Sequence, residues 1–208
     1  MEESVIKIKH AVKTGYNTIA KEYLKIRSEN SEDVQLLQEL IQRVPKGARV
    51  LDAGCGAGVP VTKLLSEYFD VIGVDFAEAQ IELARRLVPK ARFICQDMTR
   101  LSFPPHSFEA ICSYYAIIHV PREEHEQLLS NFYRMLEPKG LLLACMGAMD
   151  IKIDKAADYL GTTMYWSHFD AETNIKIITR CGFHVLWSKI VDDSTCPGSS
   201  HLFVLARK

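Results

Sequence analysis

The sequence predicts an α/β fold with a mostly parallel sheet, and three observations carry that reading. Short apolar runs alternate with longer stretches of helical periodicity along most of the chain. One apolar run, ending at Val50-Leu51-Asp52-Ala53, leads straight into a loop with glycine at every second position, Gly54, Gly56 and Gly58. A later run, Leu141 to Met146, is continuously apolar, which is the character of a strand covered on both faces.

The elements follow in order. Over 5–27 the positions Val12, Tyr16, Ile19, Tyr23 and Ile26 recur three and four apart, so the spacing predicts a helix with one apolar stripe that needs something to cover. Ser31 stands where an N-cap belongs, and Leu37, Leu40, Ile41 and Val44 share a face, giving a second helix over 32–44 that stops at Pro45-Lys46-Gly47. After the glycine loop, Pro60 suits a first helical turn and Val61, Leu64, Leu65 and Tyr68 supply its buried side. A strand at 71–74, a helix at 78–87, a strand at 92–95 and a strand at 108–113 come next, the last after a loop punctuated by Pro104 and Pro105. The helix over 123–136 is expected to end at Pro138 and Gly140, ahead of the central strand 141–146. Residues 147–170 interrupt the alternation and hold Met149, Tyr159, Met164, Tyr165, Trp166 and His168. A helix over 171–180, a turn at Cys181-Gly182 and strands at 183–191 and 201–206 close the chain. Strands joined by so short a loop pair antiparallel.

The chemistry sits at the glycine loop. Glycine has no Cβ and tolerates positive φ, so a strand-to-helix turn made of it lets a bulky polar ligand lie against backbone. The pattern is D-x-G-x-G-x-G, not the G-x-G-x-x-G of a dinucleotide site, and the Asp52 carboxylate would repel a pyrophosphate. It would instead pair with an ammonium or fix the loop, so a cationic, amino-acid-bearing ligand fits better. Asp75 closes the second strand, where its two carboxylate oxygens match the vicinal hydroxyls of a ribose.

Leu51 to Gly58 resembles the first motif of the class I S-adenosylmethionine-dependent methyltransferases of small-molecule type. Gly73-Val74-Asp75, Gln96-Asp97-Met98, Phe108 to Ser113 and Leu136 to Gly140 recur in that family's order, so the resemblance extends over roughly the whole chain. It implies one domain over 1–208 built on a seven-stranded Rossmann-like sheet, order 3-2-1-4-5-7-6, with the last strand antiparallel and helices on both faces. The segment Tyr16 to Tyr23 resembles the Y-D-x-x-A-x-x-Y stretch that closes over the cofactor in that family, with Asn17 in place of the usual Asp. Residues 1–30 are then a lid helix and 147–170 a substrate-side insertion. Ala77 stands where the family often has Ser, which removes a hydroxyl cap from the helix that follows.

By the same resemblance the cofactor is S-adenosyl-L-methionine. Its expected contacts are Tyr16, Tyr23, Asp52, Ala53, Gly54, Gly56, Asp75, Phe76, Asp97, Met98, Ser113 and Tyr114, with Asp97 accepting from the adenine amine and Met98 packing on the ring. The end of the fourth strand should face the reacting methyl, and His119 and His168 are the candidate general bases, because an imidazole takes a proton near neutral pH. The expected activity is methyl transfer to a small molecule. The alternative is a non-catalytic module that binds the same cofactor, since fold and motif do not prove turnover.

Composition narrows the partners. With 208 residues, 48% hydrophobic and a formal net charge of −1, the chain builds one sizeable core and lacks the basic excess of a nucleic-acid binder. No apolar run approaches a membrane span, and the six cysteines stand singly with no zinc or disulfide spacing, so neither a metal nor a membrane is expected and the setting is read as cytoplasmic. Nothing in the sequence fixes the oligomeric state.

Overall fold

The computed structural model describes residues 2–193, 195, 196 and 198–208. Its centre is a seven-stranded sheet. In chain order the strands are β1 (Arg49–Ala53), β2 (Asp70–Asp75), β3 (Arg92–Cys95), β4 (Phe108–Ser113), β5 (Leu136–Gly147), then β8 (His184–Asp192) and β9 (Ser200–Arg207). Between β5 and β8 lies a separate two-stranded hairpin, β6 (Ile151–Tyr159) with β7 (Thr162–His168). The sheet order is β3-β2-β1-β4-β5-β9-β8, with β9 antiparallel to both β5 and β8. The numerals expected from the sequence, 7-6, become 9-8 because residues 147–170 contribute two strands that sequence periodicity did not show.

Alternate strand residues serve the two faces of the sheet. Leu51 and Ile72 pack with Phe132, Met135 and Ile177 on one side, and Val50 and Val71 pack with Leu37, Leu40 and Leu65 on the other. The first side is covered by α6 (His125–Met135) and α7 (Ala171–Arg180), the second by α2 (Glu32–Gln35), α3 (Gln38–Arg43) and α4 (Val61–Leu65). The helix α5 (Glu78–Leu87) follows β2, and α1 (Glu2–Ile26) lies over the strand ends.

Several boundaries depart from the sequence reading. The helix expected over 32–44 is two short helices separated at Leu36-Leu37, and Ser31 makes no side-chain cap bond. The residues Leu136 to Gly140 do not end a helix in a loop. They already belong to β5, which is interrupted at Lys139 (φ +68°, left-handed) where the register against β4 shifts between Phe108 and Ala110. The 147–170 segment turns at Leu160-Gly161, both at positive φ (+52° and +89°), between the paired Tyr159 and Thr162. Two residues of that hand match the twist of a hairpin, so Gly161 was the available sequence signal.

The apolar stripe of α1 is covered by this hairpin. Ile8, Val12 and Ile19 pack with Met164 of β7, and Gly15 lets the helix approach so closely that a Cβ there would meet Met164 Cε at 3.0 Å and the Thr163 carbonyl at 3.2 Å. Helix α1, backed by the hairpin, forms a roof over the ends of β1, β2 and β4.

Candidate active site

Beneath the roof is a cavity of about 960 Å³ counting its open mouth. Its floor is the glycine loop. Gly54, Gly56 and Gly58 all have positive φ, and at Gly54 (+81°) a Cβ would come within 2.1 Å of the Ala116 Cβ. The loop is thus pressed against the exit of β4, and only glycine allows it. The Gly54 and Cys55 amides donate to the Val74 carbonyl at 2.7 and 2.9 Å, tying the loop to the end of β2.

Asp75 stands at that strand end on the cavity wall. One carboxylate oxygen accepts from the Gly56 amide at 3.0 Å and the other from the Ala77 amide at 2.9 Å. The second bond fixes the N-cap residue of α5 by its own amide, whereas the N2 amide at Ala79, which a hydroxyl at Ala77 would have taken, goes to Asn17 Oδ1, and each Asp75 oxygen keeps a lone pair for a ligand. Burial pushes Asp75 up to about 6, against the bonds from Ala77 and Gly56. Asp52 is likewise pushed up to about 6 by burial, although Thr62 Oγ1 donates to it at 2.5 Å and Cys112 Sγ at 3.5 Å. Its two oxygens bond Thr62 of α4 and Cys112 of β4 and none of the glycine-loop amides, while the residue also stands on the cavity wall.

Tyr16, Tyr23, Gly54, Gly56, Asp52, Asp75, Phe76, Asp97, Met98, Tyr114 and His119 all line the cavity. Ala53 and Ser113 do not. They lie just behind the wall, where Ser113 Oγ donates to the Ala53 carbonyl at 2.8 Å and ties β4 to β1. The Asp97 side chain is occupied otherwise than expected: Oδ1 caps Thr99 through its amide (2.9 Å) and hydroxyl (2.8 Å), and Oδ2 pairs with Lys9 of α1 at 3.1 Å. Lys9 also bonds Thr99 Oγ1 and Glu124, so it fastens the roof to the floor. Asn17, the departure from the family's Asp, does similar work at the other rim, accepting from the Ala79 amide at 2.9 Å and donating to Glu78 at 2.9 Å.

The two histidines separate. His119 Nδ1 is 2.7 Å from the Tyr165 carbonyl, which only accepts, so Nδ1 carries the proton and Nε2 is the acceptor for the Tyr16 hydroxyl at 2.8 Å. Burial pushes His119 down to about 4. It is a neutral imidazole with both nitrogens committed. His168 is not on the cavity wall; its Nδ1 donates to the Met149 carbonyl at 2.8 Å and its ring sits directly over Gly147. The structure does not bring it to the site, because β7 turns its end toward β5.

Sequence reasoning missed Arg27. Its side chain is only 5% exposed, Nη2 reaches Asp33 Oδ2 at 3.3 Å, the guanidinium lies 4.4 Å over the Tyr115 ring, and Nη1 is buried on the cavity wall with no partner. A signal existed: Arg27 follows Tyr16 and Tyr23 by eleven and four positions and so shares their face of the helix.

These residues fit S-adenosylmethionine. Asp75 offers two lone pairs to a ribose diol, Phe76 and Met98 add apolar surface to the wall for a flat ring, the glycine loop admits close approach, and the orphaned Arg27 Nη1 suits a carboxylate. Among the described residues no group of three or more His, Cys, Asp or Glu is placed to hold a metal.

Comparison with known proteins agrees. The sequence profile described as "Methyltransferase domain" matches residues 50–140. A trans-aconitate 2-methyltransferase of Variovorax paradoxus is 36% identical over 121 residues, 56% of this chain and 46% of that protein. The chain spans less than two thirds of the curated relatives it matches. Among solved structures, a Burkholderia thailandensis 1,6-didemethyltoxoflavin-N1-methyltransferase, with 1,6-didemethyltoxoflavin and S-adenosylhomocysteine bound, superposes with a TM-score of 0.76 at 17% identity over 98% of this chain and 90% of its own. The [4+2]-cyclase SpnF superposes at 0.69 and 17% identity, over 94% of each chain. Residues 50–140 thus match a methyltransferase-domain family model, and the sheet order, glycine loop and strand-end carboxylate are the features in which the chain resembles the class I S-adenosylmethionine-dependent methyltransferases.

Proposed function

We propose that this chain moves a methyl group from S-adenosyl-L-methionine to a small-molecule acceptor. The observation that carries the reading is Asp75: a carboxylate at the tip of β2, pinned by the backbone of the glycine loop yet facing the cavity. When bound, S-adenosylmethionine supplies a methyl already activated on a sulfonium. The chain's part is to align and to exclude water. Asp75 orients the ribose, the Gly54–Gly56 backbone takes the amino-acid end, and the tyrosines 16, 23, 114 and 115 wall off solvent. Alignment and desolvation of this kind are worth roughly 7–11 kcal/mol of a barrier.

In this reading α1 and the β6–β7 hairpin act as one lid over a single domain. Apolar packing holds them to each other, whereas Lys9, Lys13 and Asn17 hold the helix to the floor by polar contacts that water can replace. We place the protein in a reducing compartment, the cytoplasm: all six cysteines are free, and no described helix is long and apolar enough to cross a membrane.

Thermal shift with S-adenosylmethionine, S-adenosylhomocysteine and NAD tests the cofactor; stabilisation by the first two alone supports the reading. A screen of cell extract for a metabolite that gains ~14 Da only with protein and S-adenosylmethionine together tests turnover. One observation favours the non-catalytic alternative: His119, the sole imidazole on the wall among the described residues, has no nitrogen to spare. The cyclase above also shows that this fold serves other proteins than those named methyltransferases. Tight cofactor binding with no mass gain in any extract would decide for that alternative.

A further inference from the structure

The first turn of α5 is held from outside its own segment. Ala77 is the N-cap residue of that helix and has the extended backbone such a residue needs (φ −88°, ψ 117°), yet it brings no side-chain acceptor. The first amides of a helix have no partner within it. For α5 the missing acceptor comes from α1, 62 positions away in sequence: Asn17 Oδ1 takes the Ala79 amide at 2.9 Å, while Asn17 Nδ2 donates to Glu78 Oε2 at 2.9 Å. Beside it, the Tyr16 carbonyl accepts from Gln80 Nε2 at 3.5 Å. Two neighbouring residues of α1 thus grip Glu78, Ala79 and Gln80 in a row. The gripped turn also shapes the cavity. Its Ala77 amide donates to Asp75 Oδ1 at 2.9 Å. Gln80 is on the cavity wall, its Oε1 buried, unpartnered and 3.6 Å from where a Cβ on Gly56 would stand, and the Gly56 amide holds the other Asp75 oxygen at 3.0 Å.

We propose that Asn17 is a positioning residue for the cofactor's ribose: α1 supplies in trans the N-cap that α5 lacks, and the capped turn holds Asp75, through the Ala77 amide, in the geometry that receives the diol. With α1 closed, the Ala79 amide has its acceptor and the turn is fixed back to Ala77. Without Asn17 Oδ1 that amide is orphaned and the turn frays. The Ala77 amide then loses its fixed direction, Asp75 keeps only the Gly56 bond, and the freedom it gains must be removed when a ribose binds. Lys9 and Lys13 act differently. They fasten side chain to side chain, Lys9 to Asp97, Thr99 and Glu124 and Lys13 to Glu78. Coupling of this kind is reciprocal, so a ribose that fixes Asp75 also favours the closed helix. The proposal rests on the methyl-transfer reading and makes closure of α1 and the grip on the ribose one event.

The test uses the full chain, with adenosine as the probe because it carries the diol and lacks the amino-acid end. In Asn17→Ala the Ala79 amide should exchange with solvent about tenfold faster or more, and adenosine should bind about fivefold weaker, within the range that loss of a helix cap costs. Adding Ala77→Ser to that variant puts a hydroxyl acceptor at the N-cap itself, on a backbone already extended as a cap requires. Exchange and adenosine affinity should then both return to within about twofold of the parent. A residue that only fastened the lid would show no such rescue, because the hydroxyl restores nothing between α1 and α5. If the doubly substituted chain does not fold, Asn17→Asp keeps an acceptor for the Ala79 amide and gives up the donor to Glu78, and both readouts should stay within about twofold of the parent. Unchanged exchange or unchanged adenosine affinity in Asn17→Ala, or losses that neither Ala77→Ser nor Asn17→Asp avoids, overturn the proposal. A chain that binds neither adenosine nor S-adenosylhomocysteine sinks the methyl-transfer reading, whereas exchange at Ala79 in the free protein still decides whether Asn17 caps α5.

Discussion

The two halves of the cavity are made differently. At the cofactor half, under β1 and β2, the ligand meets backbone, three glycines and carboxylates whose partners are mostly within a few tens of residues; Gly56 and Asp75 are 19 apart in sequence. At the acceptor half, at the end of β4, the wall is the aromatic side chains of two distant stretches, Tyr16 and Tyr23 of α1 and Tyr114, Tyr115 and His119 after β4, with the hairpin behind them. Tyr16 and His119, joined by one hydrogen bond, are 103 residues apart, and His119 and Tyr165 another 46. A half built from turns has its geometry set by local chain conformation. A half built from rings is set by how α1 and the hairpin pack, and it is free to change with them.

The largest effect should come from attacking the backbone-built half. Gly54→Val forces a β-branched residue into φ +81° and drives its Cβ into Ala116, so the loop must detach from the end of β4. No cofactor binding at any attainable concentration is expected, with the melting temperature lowered as well. Calorimetry that returns a dissociation constant within tenfold of the parent would show that the floor of the cavity is more pliable than its contacts indicate.

Next in size is Asp75→Asn. Losing a charge-assisted acceptor for two hydroxyls should weaken S-adenosylhomocysteine by about 1.5–3 kcal/mol. The pH dependence has a defined sign. Burial raises Asp75 from 3.8 to about 6, so its contribution to the stability of the free protein is present below pH 3.8 and is lost as pH rises through about 6. A ribose diol prefers the ionised form, so affinity moves the other way and falls by up to about tenfold per pH unit below 6. Asp52 carries a similar shift but bonds inward. Titrations from pH 5 to 8 should therefore show the slope in the parent and lose it in Asp75→Asn; a slope that persists assigns it to Asp52.

This contrast also decides what was legible in the sequence. The floor could be read because glycine spacing, a strand-end Asp and apolar runs are short-range signals, and ten of the twelve expected cofactor residues do line the cavity. Ala53 and Ser113 fell just behind it because a strand alternates its faces, and a motif does not say which residue points outward. The roof was not legible. Exposed β6 has no clean alternation, so its only marker was Gly161, and the covering of the α1 stripe by β7 is a contact between residues some 150 positions apart. His168 resembled a base in sequence, and Arg27 did not resemble a ligand contact. Packing of the hairpin and of the end of α1 reversed both.

A smaller effect is expected from Tyr16→Phe. The change leaves the ring and its edge contacts with Tyr23 and His119 but strips His119 Nε2 of its donor. A buried acceptor without a partner costs about 1–3 kcal/mol, read as a lower denaturant midpoint with an unchanged slope. Cofactor affinity should move by less than about tenfold, since Tyr16 meets the cavity mainly through its ring. A large loss of affinity with no loss of stability would mean that the hydroxyl serves the ligand and not the histidine.

The smallest effect should be kinetic. Lys9 holds α1 to Asp97, Thr99 and Glu124 at the rim, with its side chain 18% exposed, so water competes for each of these bonds and the net contribution of such a pair is about 0–1 kcal/mol. Lys9→Met keeps the apolar stem and removes the ammonium. If the roof is a lid that opens as one body, loss of this fastening should raise both association and dissociation rates of S-adenosylhomocysteine by about two- to fivefold and leave the equilibrium constant nearly unchanged, because the closed and open states shift while the cofactor's own contacts persist. Freeing Asp97 Oδ2 acts in the opposite direction on affinity, since an unpaired carboxylate is a stronger acceptor for an adenine amine. Stopped-flow binding separates the two. Faster rates at constant affinity identify Lys9 as a latch of the roof, whereas tighter binding through a slower dissociation would show that Lys9 competes with the cofactor for Asp97 and that the two halves of the cavity are coupled at this residue.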